Sequence, residues 1–528
     1  MPSFQLMRSH PHSFSRRPWQ QTILLVFTAL WLWCIAPQGM AFARETAPQN
    51  GSSIQPYIDR VADRVTKFTL DNGMRFVVLE RHQAPVVSFM TYVDVGAAQE
   101  EEGKTGAAHF LEHLAFKGTT RIGTKDYSAE QPVLDRLDQL FDQLQAARAS
   151  GQTEQIAQLQ QEFDSVRAEA AQYVKQNEMG QIVEQAGGVG LNATTSADAT
   201  RYFYSFPSNK LELWMSLESE RFLEPVFREF YEEKDVILEE RRMRTDNSPT
   251  GRIVEAFLET ALADHPYGRP IIGYETDIRN LRRQDIRDFF NRYYTPHHII
   301  TVVVGDVNPR QVKRLAATYF GRYSPGTEVP VPPVPAPIQT APRSVTLTLP
   351  AEPLYLEGYQ RPGISSPDRN IYDIIAAILV GGRTSRLYQA LVEQQQIALD
   401  VDVLNGFPGD RYDNLLAVYA LTAPGHTVEE IAAALNVEIE RLKTEPVSAA
   451  ELERIKTQSR ASVLQNLSSN QGMASLLASY EALTGDWRNL FEDLKAVDAA
   501  TPADIQRVAQ ALFQPDKKTV GTLLPSKP

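Results

Sequence analysis

His109 and His113 stand four residues apart, with Glu112 one position before the second histidine. On a helix, positions i and i+4 share a face, so both imidazoles can reach one metal. Glu112 is then placed to meet a water on that metal. The order H-x-x-E-H reverses the H-E-x-x-H pattern of other zinc sites. Two histidines leave a catalytic zinc one protein ligand short. The acidic run Glu232 to Glu240 is the evident source of the third. Glu233 and Glu240 lie seven residues apart, hence nearly on one helical face, while Glu239 points about 100° away. Those two form a candidate pair, one coordinating and the other hydrogen-bonded behind it. Glu232 and Glu239 read as a solvated face.

The elements that must position these groups can be read around them. Val65–Leu70, Met74–Leu79 and Val86–Val95 have the composition of strands, the first two joined by Asp71-Asn72-Gly73, a tight-turn signal. Residues 129–178 look inserted. Val133, Leu137, Leu140, Leu144 and Ala147 form one heptad stripe, and Ile156, Leu159, Phe163, Val166, Ala170 and Tyr173 form another. Separated by Ala149-Ser150-Gly151, they predict an antiparallel helical hairpin whose stripes satisfy each other. It serves either as a partner-docking arm or as an insertion packed on its own domain. Gly187 to Ala193 reads as a flexible approach to the strand Thr200–Phe206. A helical region from Leu211 is continued by residues 232–240. Thr301–Val304 has the apolar run of a buried strand.

The second half repeats landmarks of the first. Asp285-Ile286, Pro296 and Thr301-Val302 recur as Asp504-Ile505, Pro515 and Thr519-Val520. Glu220-Arg221 with Pro225-Val226 recurs as Glu440-Arg441 with Pro446-Val447. Paired landmarks at one offset imply two copies of one fold, joined by the proline-rich stretch Ser324 to Pro342. The second copy has no counterpart to the two histidines, so one half is built for metal.

Of the 528 residues, 43% are hydrophobic and 22% charged, ordinary for a globular protein of several domains. A net charge of −12 argues against a nucleic-acid binder. The amino terminus reads as an export signal. Arg8, Arg16 and Arg17 precede an apolar run from Thr22 to Ala36, and Ala41-Phe42-Ala43 is a small-x-small cleavage site. Cleavage before Arg44 is the preferred reading, and an uncleaved membrane anchor the alternative. Ser15-Arg16-Arg17 adds a twin-arginine hint. Either route places the protein in the periplasm or outside the cell. The single cysteine, Cys34, lies in the apolar run, so any metal is held by histidine and carboxylate. The domain reading is a signal peptide at 1–43, a linker at 44–60, a metal-binding domain at 61–323, a proline-rich linker at 324–342 and a second domain at 343–528.

Leu70-Asp71-Asn72-Gly73-Met74, then Gly96, Gly103, Gly106 and His109 to Gly118, resemble the opening of the pitrilysin/insulinase metallopeptidases. The processing-peptidase branch, which includes mitochondrial processing peptidase, is the nearest. Val236-Ile237-Leu238-Glu239-Glu240 resembles that family's third-ligand helix. The resemblance implies one zinc ion per chain on His109, His113 and Glu240, with Glu112 as general base and Glu233 as an assisting carboxylate. It implies an α+β fold of two homologous domains, each a mainly antiparallel sheet with helices on one side. It also implies that a peptide substrate adds as a strand beside Asn192 and Ala193. The interval from His113 to Glu240 is longer than the family's, and the inserted hairpin accounts for the excess. A second departure concerns an arginine and a tyrosine that the family's second half brings to the substrate. The match through Gly381 to Tyr388 places that pair at Val392 and Leu399. An exported zinc endopeptidase with a homologous partner subunit, or a second copy of itself, is therefore expected. A non-catalytic structural subunit of a peptidase-like complex is the alternative.

Overall fold

The computed structural model describes residues 55–326 and 334–526. The signal expected at 1–43 with Cys34, most of the linker expected at 44–60, and residues 327–333 of the proline-rich stretch lie outside them. The linker reading is corrected at its end, where Gln55–Ala62 is a helix. Ile58, Val61 and Ala62 fall at helical spacing, and Ile58 is buried in a core cluster against the first sheet. The run was too short to show a period by itself.

Six strands form the first sheet: β1 (Val65–Thr69), β2 (Arg75–Glu80), β3 (Val86–Val93), β4 (Val189–Thr195), β5 (Thr200–Pro207) and β6 (Ile299–Gly305), in the order β1-β2-β6-β3-β5-β4. Five form the second: β7 (Arg343–Leu349), β8 (Leu354–Arg361), β9 (Ala398–Phe407), β10 (Asn414–Thr422) and β11 (Lys518–Pro525), in the order β7-β11-β8-β10-β9. Strand for strand, β2-β6-β3-β5-β4 is repeated by β7-β11-β8-β10-β9. The parallel pair recurs as well, β2 with β6 and β7 with β11, among otherwise antiparallel neighbours. The sequence landmarks mark this repeat for a physical reason. Asp285 and Asp504 each accept the amide that opens a helix, from Arg282 and from Thr501. Pro296 and Pro515 each open the single 3₁₀ turn leading into the parallel strand.

Most helices of each half pack on one face of its own sheet, as expected; Gln55–Ala62 lies on the other face of the first sheet. The other face is otherwise covered by the opposite half. The helix Asn470–Thr484 packs on β3 and β6, with Met473, Ala474 and Leu477 fully buried. Its Glu481, wholly buried, takes Lys67 of β1 at 2.6 Å. Reciprocally, Pro249–Ala261 of the first half lies on β7 and β11, its Phe257 ring resting on Gly358 and Gly521. Every residue of β6 is buried because both its faces are covered.

Gly187 to Ala193 is not a flexible approach. From Val189 it is β4 itself, bulged between Val189 and Asn192. The glycines and polar residues masked a strand that has one neighbour among the described residues. The helical region after Leu211 is two helices, Leu211–Leu223 and Phe230–Arg241, broken at Glu229 with φ 53°.

The hairpin is present, with arms Tyr127–Ala149 and Thr153–Ala171. Its stripes do not merely satisfy each other. Leu134 and Phe141 make a second apolar row that faces the main core. Phe141 and Phe163 hold the ring of Tyr231 at centroid distances of 5.2 and 4.9 Å. The Tyr231 hydroxyl donates to Asp138 at 2.9 Å, and Arg167 pairs with Glu232 at 2.6 Å and Asp235 at 3.1 Å. Glu232, read as solvated, is half-buried and tied to the insert. The fully buried Arg228 binds Glu130 at the hairpin base and the carbonyls of Lys117, Thr119 and Ile122. Deleting Pro132 to Gln176 behind a short glycine linker is accordingly expected to give insoluble protein, since it strips the cover from Tyr231 and the helix beneath. Soluble, zinc-binding protein from that deletion would show that this packing is dispensable.

Candidate metal centre

The motif lies on the helix Ala107–Leu114, whose Phe110, Leu111 and Leu114 are buried in the first core. Its first turn is held by Glu100, which accepts the amides of Gly106 at 2.9 Å and Ala108 at 2.8 Å. Burial pushes the Glu100 carboxyl up to about 8, against the pull of those two bonds. Phe110 stacks on Phe230 at 4.6 Å, which joins the motif helix to the start of the acidic helix Phe230–Arg241.

His109, His113 and Glu240 come together, one ligand atom from each lying within 4.8 Å of the others. Glu240 Oε2 is 3.7 Å from His109 Nε2 and 3.6 Å from His113 Nε2. A tetrahedral zinc with bonds near 2.0–2.1 Å separates its ligands by about 3.3–3.4 Å, so a small inward movement completes the site. The other Glu240 oxygen pairs with Arg244 at 2.7 Å, leaving one oxygen for a metal. Behind the cluster, His113 Nδ1 lies 3.0 Å from Glu233 Oε2, while Lys117 holds the second Glu233 oxygen at 2.5 Å. A proton on Nδ1 directed at a carboxylate leaves Nε2 as a lone-pair donor, the usual support of a metal-bound imidazole. The donor set therefore fits zinc. The buried His109 Nδ1 has no hydrogen-bond partner among the described residues.

Burial, with the neighbouring His113 and Arg244, pushes His109 down to about 3, so it is neutral. Burial also acts to lower His113, but its bond to Glu233 and the charges of Glu233, Glu240 and Glu112 together outweigh this and raise it. Glu233 experiences the reverse balance. Burial raises it, and the contacts with His113 and Lys117 overcome that and lower it. Glu112 is raised, chiefly by burial, against a hydrogen bond from the Thr195 hydroxyl to Oε2 at 2.6 Å.

Asn192 and Ala193 lie on β4, the last strand of the sheet, in register with Phe203 and Tyr202 of β5. The Ala193 amide donates to the Asn192 side chain at 2.8 Å. The same strand ends in Thr195, so the edge and Glu112 are in contact. Thr195, Lys117, Arg244 and Glu100 were not singled out from the sequence. Thr195 was within reach, because Ala193 and Thr195 are two apart on a strand and share a face. Val392 packs against the second core, and Leu399 on β9 is 53% exposed. Neither side chain can donate a hydrogen bond.

Two homologous α+β halves, one of them holding a His-His-Glu cluster with a further carboxylate beside it, define a metallopeptidase class. The family model described as Insulinase (Peptidase family M16) matches residues 75–131 and 168–275, leaving out most of the hairpin. A second model of that family, described as Peptidase M16 inactive domain, matches residues 280–459. Together they cover more than half of the chain, which belongs to peptidase family M16. It is similar to "Zinc protease PqqE" of Helicobacter pylori, 29% identical over 472 residues, which are 87% of this chain and 92% of that protein. A crystal structure of a protease from Helicobacter pylori matches with a TM-score of 0.73 at 27% identity, over 88% of this chain and 99% of that one. The periplasmic protease PqqL from Escherichia coli shares the fold, with a TM-score of 0.65 at 17% identity. There the match spans 88% of this chain but 48% of the other.

Proposed function

We propose that this protein is an exported zinc endopeptidase that hydrolyses peptides or unfolded polypeptide segments with a homologous partner subunit. One observation carries the reading: His109, His113 and Glu240 converge beside a Glu112 that is tethered to the edge strand β4. When bound, zinc supplies the Lewis acidity that polarises a scissile carbonyl and makes water nucleophilic near neutral pH. His109, His113 and Glu240 would hold it, with Glu233 fixing the His113 tautomer. Glu112 takes the proton of the attacking water and delivers it to the leaving amine. A peptide laid along β4 as an added strand forms main-chain hydrogen bonds beside Asn192 and Ala193, so binding depends little on side chains. Relatives named as zinc proteases support this chemistry.

Export rests on the leader at 1–43, and sequencing of the mature protein is expected to read Arg44 first. The partner rests on Val392 and Leu399, which leave the second half without the donors that the family's pattern provides. A chain such as PqqL, of which this one spans about half, supports working in pairs. The isolated chain is expected to bind zinc yet cleave an unstructured peptide feebly, and a homologous subunit carrying the arginine and tyrosine to raise turnover at least about tenfold, as expected of an added oxyanion donor. Full turnover by the chain alone would remove the partner from the reading. Zinc bound without cleavage in either form would favour the non-catalytic subunit.

A further inference from the structure

Among the described residues the second half contributes nothing to the His109, His113 and Glu240 cluster, yet one of its loops reaches the turn that ends β4. That turn, Ser196 to Ala199, carries Asp198, which is buried. The Asp198 carboxylate accepts the amides of Asp410 at 2.7 Å and Arg411 at 3.1 Å from the loop between β9 and β10. It also accepts the hydroxyl of Tyr267, a fully buried residue of the first half. The Tyr267 oxygen in turn takes the amide of Tyr412 at 3.2 Å. The fit is close, since a Cβ on Gly409 would come within 2.7 Å of the Tyr267 ring and 2.8 Å of Asp198 Oδ2. Arg411 pairs with Asp94, just beyond β3. From the other side, the carbonyls of Ser196 and Ala197 accept the amides of Ala97 at 3.1 Å and Ala98 at 2.9 Å. The turn is gripped from two directions, and the residue directly before it is Thr195, the donor to Glu112.

We propose that Thr195 is a positioning residue for Glu112, and that the second half, through its loop Gly409 to Tyr412 clamped on Asp198 and Tyr267, fixes the turn that carries it. This rests on Glu112 being the general base of the proposed function. A glutamate has three side-chain torsions, and one charge-assisted bond from a fixed hydroxyl selects among them. Catalysis is sensitive to that choice, because a misplacement of about 1 Å can cost ~10²-fold in rate. The buried His265 Nδ1 accepts the Tyr267 amide at 3.1 Å and so helps hold the short turn that carries the phenol. The second half thus acts on the reaction through the turn that follows Thr195.

The test uses the full chain, loaded with zinc for kinetics and with cobalt(II) for visible absorption. Thr195→Val is expected to lower kcat by about 10- to 100-fold, with KM and metal content unchanged, in line with losing the orientation of a general base. Thr195→Ser keeps the hydroxyl and should stay within about threefold of wild type by the same reasoning. Tyr267→Phe should lower kcat in the same direction by less. Adding Thr195→Val to Glu112→Gln should change nothing further. The cobalt spectrum should move with Thr195→Val as it does with Glu112→Gln. A wild-type kcat and spectrum for Thr195→Val would overturn the inference, as would a Thr195→Ser variant as impaired as the valine. Peptidase inactivity of the wild type, with or without a partner, would count against the proposed function instead. The cobalt spectra then still decide whether Thr195 sets Glu112.

Discussion

Glu112→Gln is expected to lower kcat by at least ~10², the loss of a general base, while leaving the zinc content at one per chain. The separation of effects follows from where the residue sits. Glu112 lies outside the His109, His113 and Glu240 cluster and is held by Thr195. Glutamine has the same shape and can still accept the threonine hydroxyl, so the fold and the three metal ligands have no reason to change, while the negative charge beside the metal is lost. What it cannot do is take up a proton. KM should be nearly unmoved, because a peptide adding to β4 is held by main-chain bonds and not by this carboxylate. Turnover within a few-fold of wild type would take the general-base role from Glu112. A fall in bound zinc equal to the fall in rate would make it a ligand instead.

Removing both imidazoles, in His109→Ala/His113→Ala, is expected to abolish stoichiometric zinc binding, and His113→Ala alone to weaken it beyond ordinary dialysis. Glu240 would keep its pair with Arg244, and a lone carboxylate is a poor site for zinc. Full occupancy in the double variant would sink the assignment. Binding should also depend on pH in a direction fixed by the two histidines. His113 is raised by Glu233 and the nearby carboxylates despite its burial, so protons compete with metal there as pH falls through its range. His109, held down to about 3, contributes no such competition above that pH. Apparent zinc affinity of the apoprotein should therefore weaken from neutral pH downward, with a proton released on binding. Titration calorimetry in buffers of different ionisation enthalpy measures that proton, and Glu233→Gln should reduce it.

What the sequence determined by itself is what local periodicity fixes. His109 and His113 share a face because any helix places i and i+4 together, whatever surrounds it. The hairpin arms follow from two apolar stripes around Ser150-Gly151, and the duplication from helix caps and prolines that recur wherever the same turn is built. The same periodicity narrowed the third ligand to Glu233 or Glu240, and the family resemblance chose Glu240. Tertiary structure alone decided what depends on elements meeting across the chain. Thr195 reaches Glu112 over 83 residues, and the atom that Glu233 meets, His113 Nδ1, lies 120 residues away. No period links such positions, since each contact depends on how two separate elements pack. The exchange of Pro249–Ala261 and Asn470–Thr484 between the sheets was hidden for a related reason. An apolar helix face states that it will be covered, but the surface that covers it is set by the shape of the whole core. The hairpin shows the same division: its apolar rows predicted two helices, and only their docking on Tyr231 showed that they cover the acidic helix.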